Sequence, residues 1–196
     1  MDLGEDPEAH PCQTYLDYLS LLDRWNQAYN LTGIRDQQNM LTHHIFDSLA
    51  VLPYLRGTAC LDVGSGAGLP GLILALARPD QKWSLLDSNT KKTRFLRQAV
   101  LDLHINNVEV VHARIEDYRT GADYSTIITR AWANVLEFYQ RVASLLQEQG
   151  RIIAMKGVEP EMELQELRKA GINYTVHALK VPGLNKQRHL VVIDKT

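Results

Sequence analysis

Four glycines within eight positions constrain this chain more than any other feature. Gly64, Gly66, Gly68 and Gly71 stand in the stretch Leu61-Asp62-Val63-Gly64-Ser65-Gly66-Ala67-Gly68-Leu69-Pro70-Gly71. The run from Cys60 to Val63 is apolar apart from one acid and predicts a strand. Glycines lack the Cβ that would keep a ligand away from the backbone N–H groups. From Leu72 to Ala77 the residues are good helix formers, and Pro70 suits the first turn of a helix. Strand, glycine turn and helix, in that order, seat a nucleotide-like ligand over a helix N-terminus.

The turn has two readings. Gly66 to Gly71 is a literal GxGxxG, the dinucleotide fingerprint, which alone is a weak signal. The longer string from Asp62 to Gly68 reads DxGxGxG, the turn of class I S-adenosylmethionine methyltransferases. Asp62 is expected at the C-terminal end of its strand, close to the ligand. Beside a pyrophosphate it would place like charges together, at a cost of roughly 1–4 kcal/mol at about 4 Å. Beside an ammonium and a sulfonium the same acid is attractive. The methyl donor is the preferred reading; a dinucleotide, or a turn that binds nothing, stays open.

The whole chain sets wider bounds. Its 196 residues suit one domain with at most a small appendage. At 45% apolar and 22% charged it is an ordinary globular composition, and no apolar run reaches the length of a membrane span. Met1 to Pro11 is acidic and polar, unlike a secretory signal, and is expected to be disordered or loosely docked. Cys12 and Cys60 lack a CxxC spacing, so neither a metal site nor a disulfide is expected. These features point to a cytoplasmic enzyme with no membrane partner. The net charge of −2 lacks the broad basic footprint of many nucleic-acid binders, although a local basic patch is compatible with it.

Tyr15, Leu16, Leu19, Leu22, Trp25, Asn26 and Tyr29 predict a helix over 13–29, with Leu16, Leu19, Leu22 and Trp25 on its core side. Asn30 to Gly33 read as a stop and turn. A second helix over 37–49 carries His43, His44 and Asp47. The adjacent histidines point apart, whereas His43 and Asp47 are spaced for a local hydrogen bond. Strands are expected over 82–86, 108–113, 124–129 and 151–155, alternating with helices over 89–103, 135–146 and 159–170. Late strands over 173–180 and 189–193 flank a polar, basic loop. Alternation predicts an open parallel sheet with helices on both faces, and the late pair an antiparallel hairpin at one edge.

Several residues fall at strand ends. Asp87 closes the second strand, where an acid accepts ribose hydroxyls in either cofactor reading. Ile115 and Glu116 follow the third, placed to read an adenine ring by a backbone N–H and a carboxylate. Arg130 follows the fourth, in the mouth of the sheet. Lys91, Lys92, Arg94 and Arg97 give one helix a basic face; solvated surface is the plain reading and contact with nucleic-acid phosphates the sharper one.

From Trp25 to Ile193 the chain resembles one family. WNQAYNLTGIRD, HIFDSL, LDVGSGAGLPG, LLDS, RFLRQ, ITRAW, MKG and RHLVVI occur in order. They resemble the bacterial small-subunit ribosomal RNA guanine-N7 methyltransferases, also called glucose-inhibited division protein B. The resemblance implies a Rossmann-like class I methyltransferase fold, α/β, with a mostly parallel seven-stranded sheet and an antiparallel edge. Residues 1–56 would be a tail and helical extension, and 57–196 the S-adenosylmethionine-dependent domain. The implied reaction moves a methyl group from S-adenosylmethionine to N7 of guanine 527 of 16S ribosomal RNA, in the small subunit or its precursor. A monomer without metal is expected. Asp62, Gly64, Gly66, Leu69, Asp87, Ile115 and Glu116 would bind the donor. Arg130 would stand at its reacting end as the catalytic residue. Lys156, Lys186 and Arg188 would form a basic rim for RNA. Tyr118 replaces the phenylalanine common in this family.

Guanine N7 exposes a lone pair and carries no proton, so the implied transfer needs no general base. The sulfonium loses its charge as the base gains one. In-line placement would then carry the catalysis, contributing up to roughly 7–11 kcal/mol in ideal cases. Arg130 is expected to meet O6, a phosphate or a donor-site carboxylate; a structural ion pair is its alternative. For the chain as a whole, an NAD-dependent oxidoreductase, a methyltransferase with a non-RNA substrate and a binding module without turnover remain open.

Overall fold

The computed structural model describes residues 11–121 and 123–195. The expectation for Met1 to Pro11 therefore lies, Pro11 excepted, outside the described residues. Thirteen elements carry the argument. They are α1 (Cys12–Tyr29), α2 (37–49), β1 (Ala59–Val63), α3 (Gly71–Ala77), β2 (Lys82–Asp87), α4 (Thr90–Asp102), β3 (Val108–His112), β4 (Tyr124–Thr129), α5 (Val135–Val142), β5 (Leu146–Lys156), α6 (Glu161–Lys169), β6 (Thr175–Ala178) and β7 (His189–Asp194).

The strands form one sheet in the order β3-β2-β1-β4-β5-β7-β6. All neighbours are parallel up to β5, and β7 runs antiparallel to both β5 and β6. This is the expected mixed sheet with its antiparallel edge. β4 is buried along its whole length and β1 along all but its first residue, as strands covered on both faces must be. One face packs α1 to α4 over a core that includes Tyr18, Leu22, Trp83 and Phe95. The other packs α5 and α6 over Leu61, Ile127, Phe138 and Leu164. The chain reverses direction across the sheet between β1 and β4. In an open α/β sheet, ligands bind at the carboxyl ends of the strands beside such a switch point. Among the described residues no helix is long and apolar enough to cross a membrane.

Three local expectations need correction. The buried side of α1 is Tyr15, Tyr18, Leu19, Leu21, Leu22 and Asn26, whereas Leu16 is 50% exposed. The tyrosine rings supply the apolar stripe, which rotates Leu16 out of it. In α2, residues Leu41–Phe46 are wound as a π-helix between two short α-helical pieces. The His43–Asp47 hydrogen bond does not form; His43 Nδ1 lies 3.0 Å from the Asn39 carbonyl instead. The helix expected over 135–146 ends at Val142, and β5 begins at Leu146, well before Gly150. The irregular register there follows from Gln149 at φ 62° and from Gly150, where a Cβ would lie 2.8 Å from the Gln147 carbonyl. Tyr118 keeps its extra hydroxyl satisfied, 2.6 Å from the Tyr124 hydroxyl.

Candidate active site

A cleft of about 410 Å³ opens at the carboxyl ends of β1, β2 and β4 and the segment after β3. Gly64, Asp87, Ile115, Glu116, Ala131 and Trp132 are among its walls, with Lys92 and Arg114 beside them. The size suits a small ligand of nucleotide class. Gly64 has φ +75°, and a Cβ there would stand 3.3 Å from the Ala131 Cβ, so glycine keeps the floor open. Asp87 Oδ2 accepts the Gly66 N–H at 2.8 Å, and its Oδ1 accepts the Asn89 N–H at 2.8 Å. The carboxylate thus ties the glycine turn to the start of α4. Each oxygen keeps a second lone pair, which is what a ribose diol requires.

The turn is held from behind. Gly64 and Ser65 donate their N–H groups to the Leu86 carbonyl. Asp62 is fully buried, and its Oδ2 accepts the Gly71 N–H at 2.9 Å. Gly71 makes that approach possible, since a Cβ there would lie 2.7 Å from Asp62 Oδ2. Asp62 Oδ1 has no hydrogen-bond partner among the described residues. Burial pushes the Asp62 carboxyl up to about 7; the Gly71 N–H and the Arg130 charge pull less strongly the other way. From α1, the buried Tyr18 hydroxyl donates to the Ala67 carbonyl at 2.7 Å. Burial raises the Tyr18 pKa above its ordinary value, so the phenol remains a donor.

A second cleft of about 380 Å³ lies on the other side of the β4 end. Arg130, Lys156 and Arg188 line it, with Asp47, His43 and His44 from α2. Asp47 is buried, and its Oδ1 accepts from Arg188 Nε at 2.8 Å. Arg130 Nη1 stands 3.8 Å from Asp47 Oδ2 and donates to the His43 carbonyl at 3.4 Å. About a third of the Arg130 side chain stays open to solvent at 32% exposure, so the guanidinium is held loosely and faces the cavity. Desolvation lowers its pKa, and the nearby Asp47 works against that. His44 is buried with Nε2 3.1 Å from the Thr32 hydroxyl. Burial and then the Arg130 charge lower its pKa to about 4, which leaves the ring neutral. Two arginines on one carboxylate make a cluster of net positive charge, suited to a carbonyl oxygen or a phosphate.

The residues singled out in the sequence divide accordingly. Gly64, Asp87, Ile115 and Glu116 share the first cleft, while Arg130, Lys156 and Arg188 share the second. Asp62, Gly66 and Leu69 line neither. Asp62 and Gly66 brace the turn, and Leu69 is buried in the core. The expectation that Asp62 stands beside the ligand is therefore corrected: it sits beneath the glycine turn as a support for Gly71. Lys156 donates to the Trp132 and Ala133 carbonyls and to both Glu163 oxygens within 3.1 Å, so its ammonium is consumed within the fold. That engagement removes it from a rim for RNA. Lys186 is exposed and outside both clefts. Tyr18 and Asp47 were missed as site residues. HIFDSL carries Asp47 as a signal, but its spacing points to His43, whereas its partners are Arg188 and Arg130.

Comparison with known proteins places this geometry. The model of the family described as rRNA small subunit methyltransferase G matches residues 11–191. A protein of Alkalilimnicola ehrlichii named ribosomal RNA small subunit methyltransferase G is 48% identical over 179 residues, covering 91% of this chain and 81% of its own. A protein of the same name from Coxiella burnetii is 46% identical over 181 residues, covering 92% and 87%. Among solved structures, an S-adenosyl-L-methionine-dependent methyltransferase described as putative, from Methanococcus maripaludis, shares the fold with a TM-score of 0.65 at 17% identity, covering 91% of this chain and 92% of its own. Aeropyrum pernix fibrillarin, solved with natively bound S-adenosyl-L-methionine, gives 0.59 at 14% identity, covering 72% and 68%.

Proposed function

The chain belongs to the rRNA small subunit methyltransferase G family, and from that premise we propose that it transfers a methyl group from S-adenosylmethionine to N7 of one guanine in 16S ribosomal RNA. The substrate is the RNA in the small ribosomal subunit or its precursor, and the protein acts in the cytoplasm as a monomer. In this reading 57–196 is the methyltransferase domain, and 1–56 is an extension that lends it Tyr18, His44 and Asp47.

One observation carries the reading: two clefts back onto the same strand end. Arg130 lines one and its neighbours Ala131 and Trp132 line the other. A donor in the first cleft and a flipped base in the second would meet at the end of β4. Asp87 holds the ribose, and Ile115 with Glu116 flanks the adenine. When bound, S-adenosylmethionine supplies an electrophilic methyl group and gives up its sulfonium charge on transfer. Arg130 holds the acceptor by O6 or a neighbouring phosphate, leaving N7 free to attack. Asp47 keeps Arg130 and Arg188 in register. Neutral His44 adds no further positive charge to a purine that is becoming cationic. No residue removes a proton, because N7 has none to lose.

The test is transfer of labelled methyl to small-subunit particles and to naked 16S RNA. Cleavage at 7-methylguanine then maps the product. A single 7-methylguanine is expected. Label at another atom, or none on ribosomal RNA, would overturn the proposal.

A further inference from the structure

We propose that the outer face of α4 receives the ribose-phosphate backbone of the RNA substrate beside the donor cleft. The proposal rests on the methyltransferase reading above and adds a surface to it. Lys91, Arg94 and Arg97 are exposed and follow one another down the solvent side of the helix. At 1.5 Å per residue the row is about 9 Å long. Lys92, at the head of the helix, turns toward the donor cleft and lines it, with Nζ 4.0 Å from Asp87 Oδ2. Exposed Arg114 lines the same cleft from the segment after β3. The row therefore leads to the site of chemistry.

The row is also free of neutralising partners. Arg141, Arg151, Lys156, Arg168 and Arg188 each have a carboxylate within 4.0 Å. Lys91, Arg94 and Arg97 have none among the described residues. The only acid in α4 is Asp102, and it accepts from Gln98 at 2.7 Å. In a chain of net charge −2, four cations on one helix with their acids placed elsewhere mark a local field.

The helix offers that field and little else. Its apolar residues Phe95, Leu96 and Ala99 are fully buried, and Leu101 in the last turn is its one exposed large apolar residue, too small an area for a lipid surface to take up. A row of unpaired long-armed cations suits a polyanion whose charges repeat. Such contacts fix the position of the RNA without reading its sequence. Base choice is left to the second cleft.

The experiment compares the unaltered chain with the triple variant Lys91→Ala, Arg94→Ala, Arg97→Ala. Binding and methylation of small-subunit RNA are measured across a salt series, and S-adenosylmethionine affinity by calorimetry. Each phosphate contact contributes about 0.7–0.9 to the slope of log affinity against log salt. The triple variant should lose about 2–3 from that slope and bind RNA more weakly at low salt, with donor affinity and melting temperature unchanged. Arg94→Lys with Arg97→Lys should keep the slope. An unchanged slope in the triple variant would overturn the surface while leaving the methyltransferase reading intact. Failure of the unaltered chain to methylate ribosomal RNA would overturn both.

Discussion

Tyr18→Phe removes one oxygen atom and tests whether the helical extension tunes the donor site. The ring is fully buried and keeps its packing, including the contact with Phe95 at 6.2 Å between centroids. Only the 2.7 Å hydrogen bond to the Ala67 carbonyl is lost. Ala67 sits between Gly66 at φ 60° and Gly68 at φ 93°, in the most deformable part of the turn. Leaving a buried carbonyl without its donor costs about 1–3 kcal/mol. If the turn keeps its shape without the bond, the whole cost falls on global stability, about 2–12 °C of melting temperature for a chain of this size. If the turn relaxes, part of the cost must be repaid when the donor binds. About 1 kcal/mol of that kind weakens donor affinity roughly fivefold. The expected outcome is both effects together, read by scanning calorimetry and by titration with S-adenosylmethionine. A lowered melting temperature with donor affinity unchanged would show that Tyr18 only supports the core, and the coupling argument would fail.

Asp47→Asn removes the buried carboxylate shared by two partly exposed arginines, and should cost about 1.5–3 kcal/mol in denaturant unfolding. It should also abolish most RNA methylation while leaving donor binding nearly intact. Gly64→Ala places a Cβ 3.3 Å from the Ala131 Cβ at φ +75°. The strain of about 1–2 kcal/mol lowers the melting temperature if the turn keeps its shape, and weakens donor binding by up to roughly five- to thirtyfold if the turn relaxes and must be re-formed, as scanning calorimetry and a calorimetric titration would separate. The pH dependence of stability has two opposing parts. Asp62 rises from 3.8 to about 7 on folding, so the fold takes up a proton and loses stability as pH climbs through that window. His44 falls from 6.5 to about 4, so between those values stability grows with pH. Asp62→Asn keeps an acceptor for the Gly71 N–H and deletes the first part. Denaturant midpoints measured from pH 4 to 8 should then rise up to about pH 6.5 and level off, where the unaltered chain stays flatter and declines above it.

The sheet was legible because each strand declares itself by an apolar run and each crossover by a helical spacing. The late hairpin was legible because 189–193 has no helix before it. The gathering of Gly64, Asp87, Ile115 and Glu116 around one cleft was legible too: they sit at or just past strand ends, and strand ends converge in any doubly wound sheet. The second cleft was not. Asp47 and Arg188 are 141 residues apart, and no local rule pairs them. The i, i+4 rule assigned Asp47 to His43 because it assumes an unbroken α-helix, and residues Leu41–Phe46 are π-helical. Asp62 misled in another way. Sequence shows a charge but not its depth, and at full burial a carboxylate serves the backbone before it serves a ligand. Lys156 shows the same limit, since its four acceptors come from residues Trp132, Ala133 and Glu163.

The donor cleft is lined wholly by residues 63–132, whereas the second cleft needs Arg188. Translation runs in one direction, so these pieces leave the ribosome in a fixed order. All side chains that line the first cleft have been made before Arg188 and the strand after it exist, and until then Asp47 lacks its nearest cation. A nascent chain therefore carries every residue of one cleft while the other still lacks the arginine that closes on Asp47.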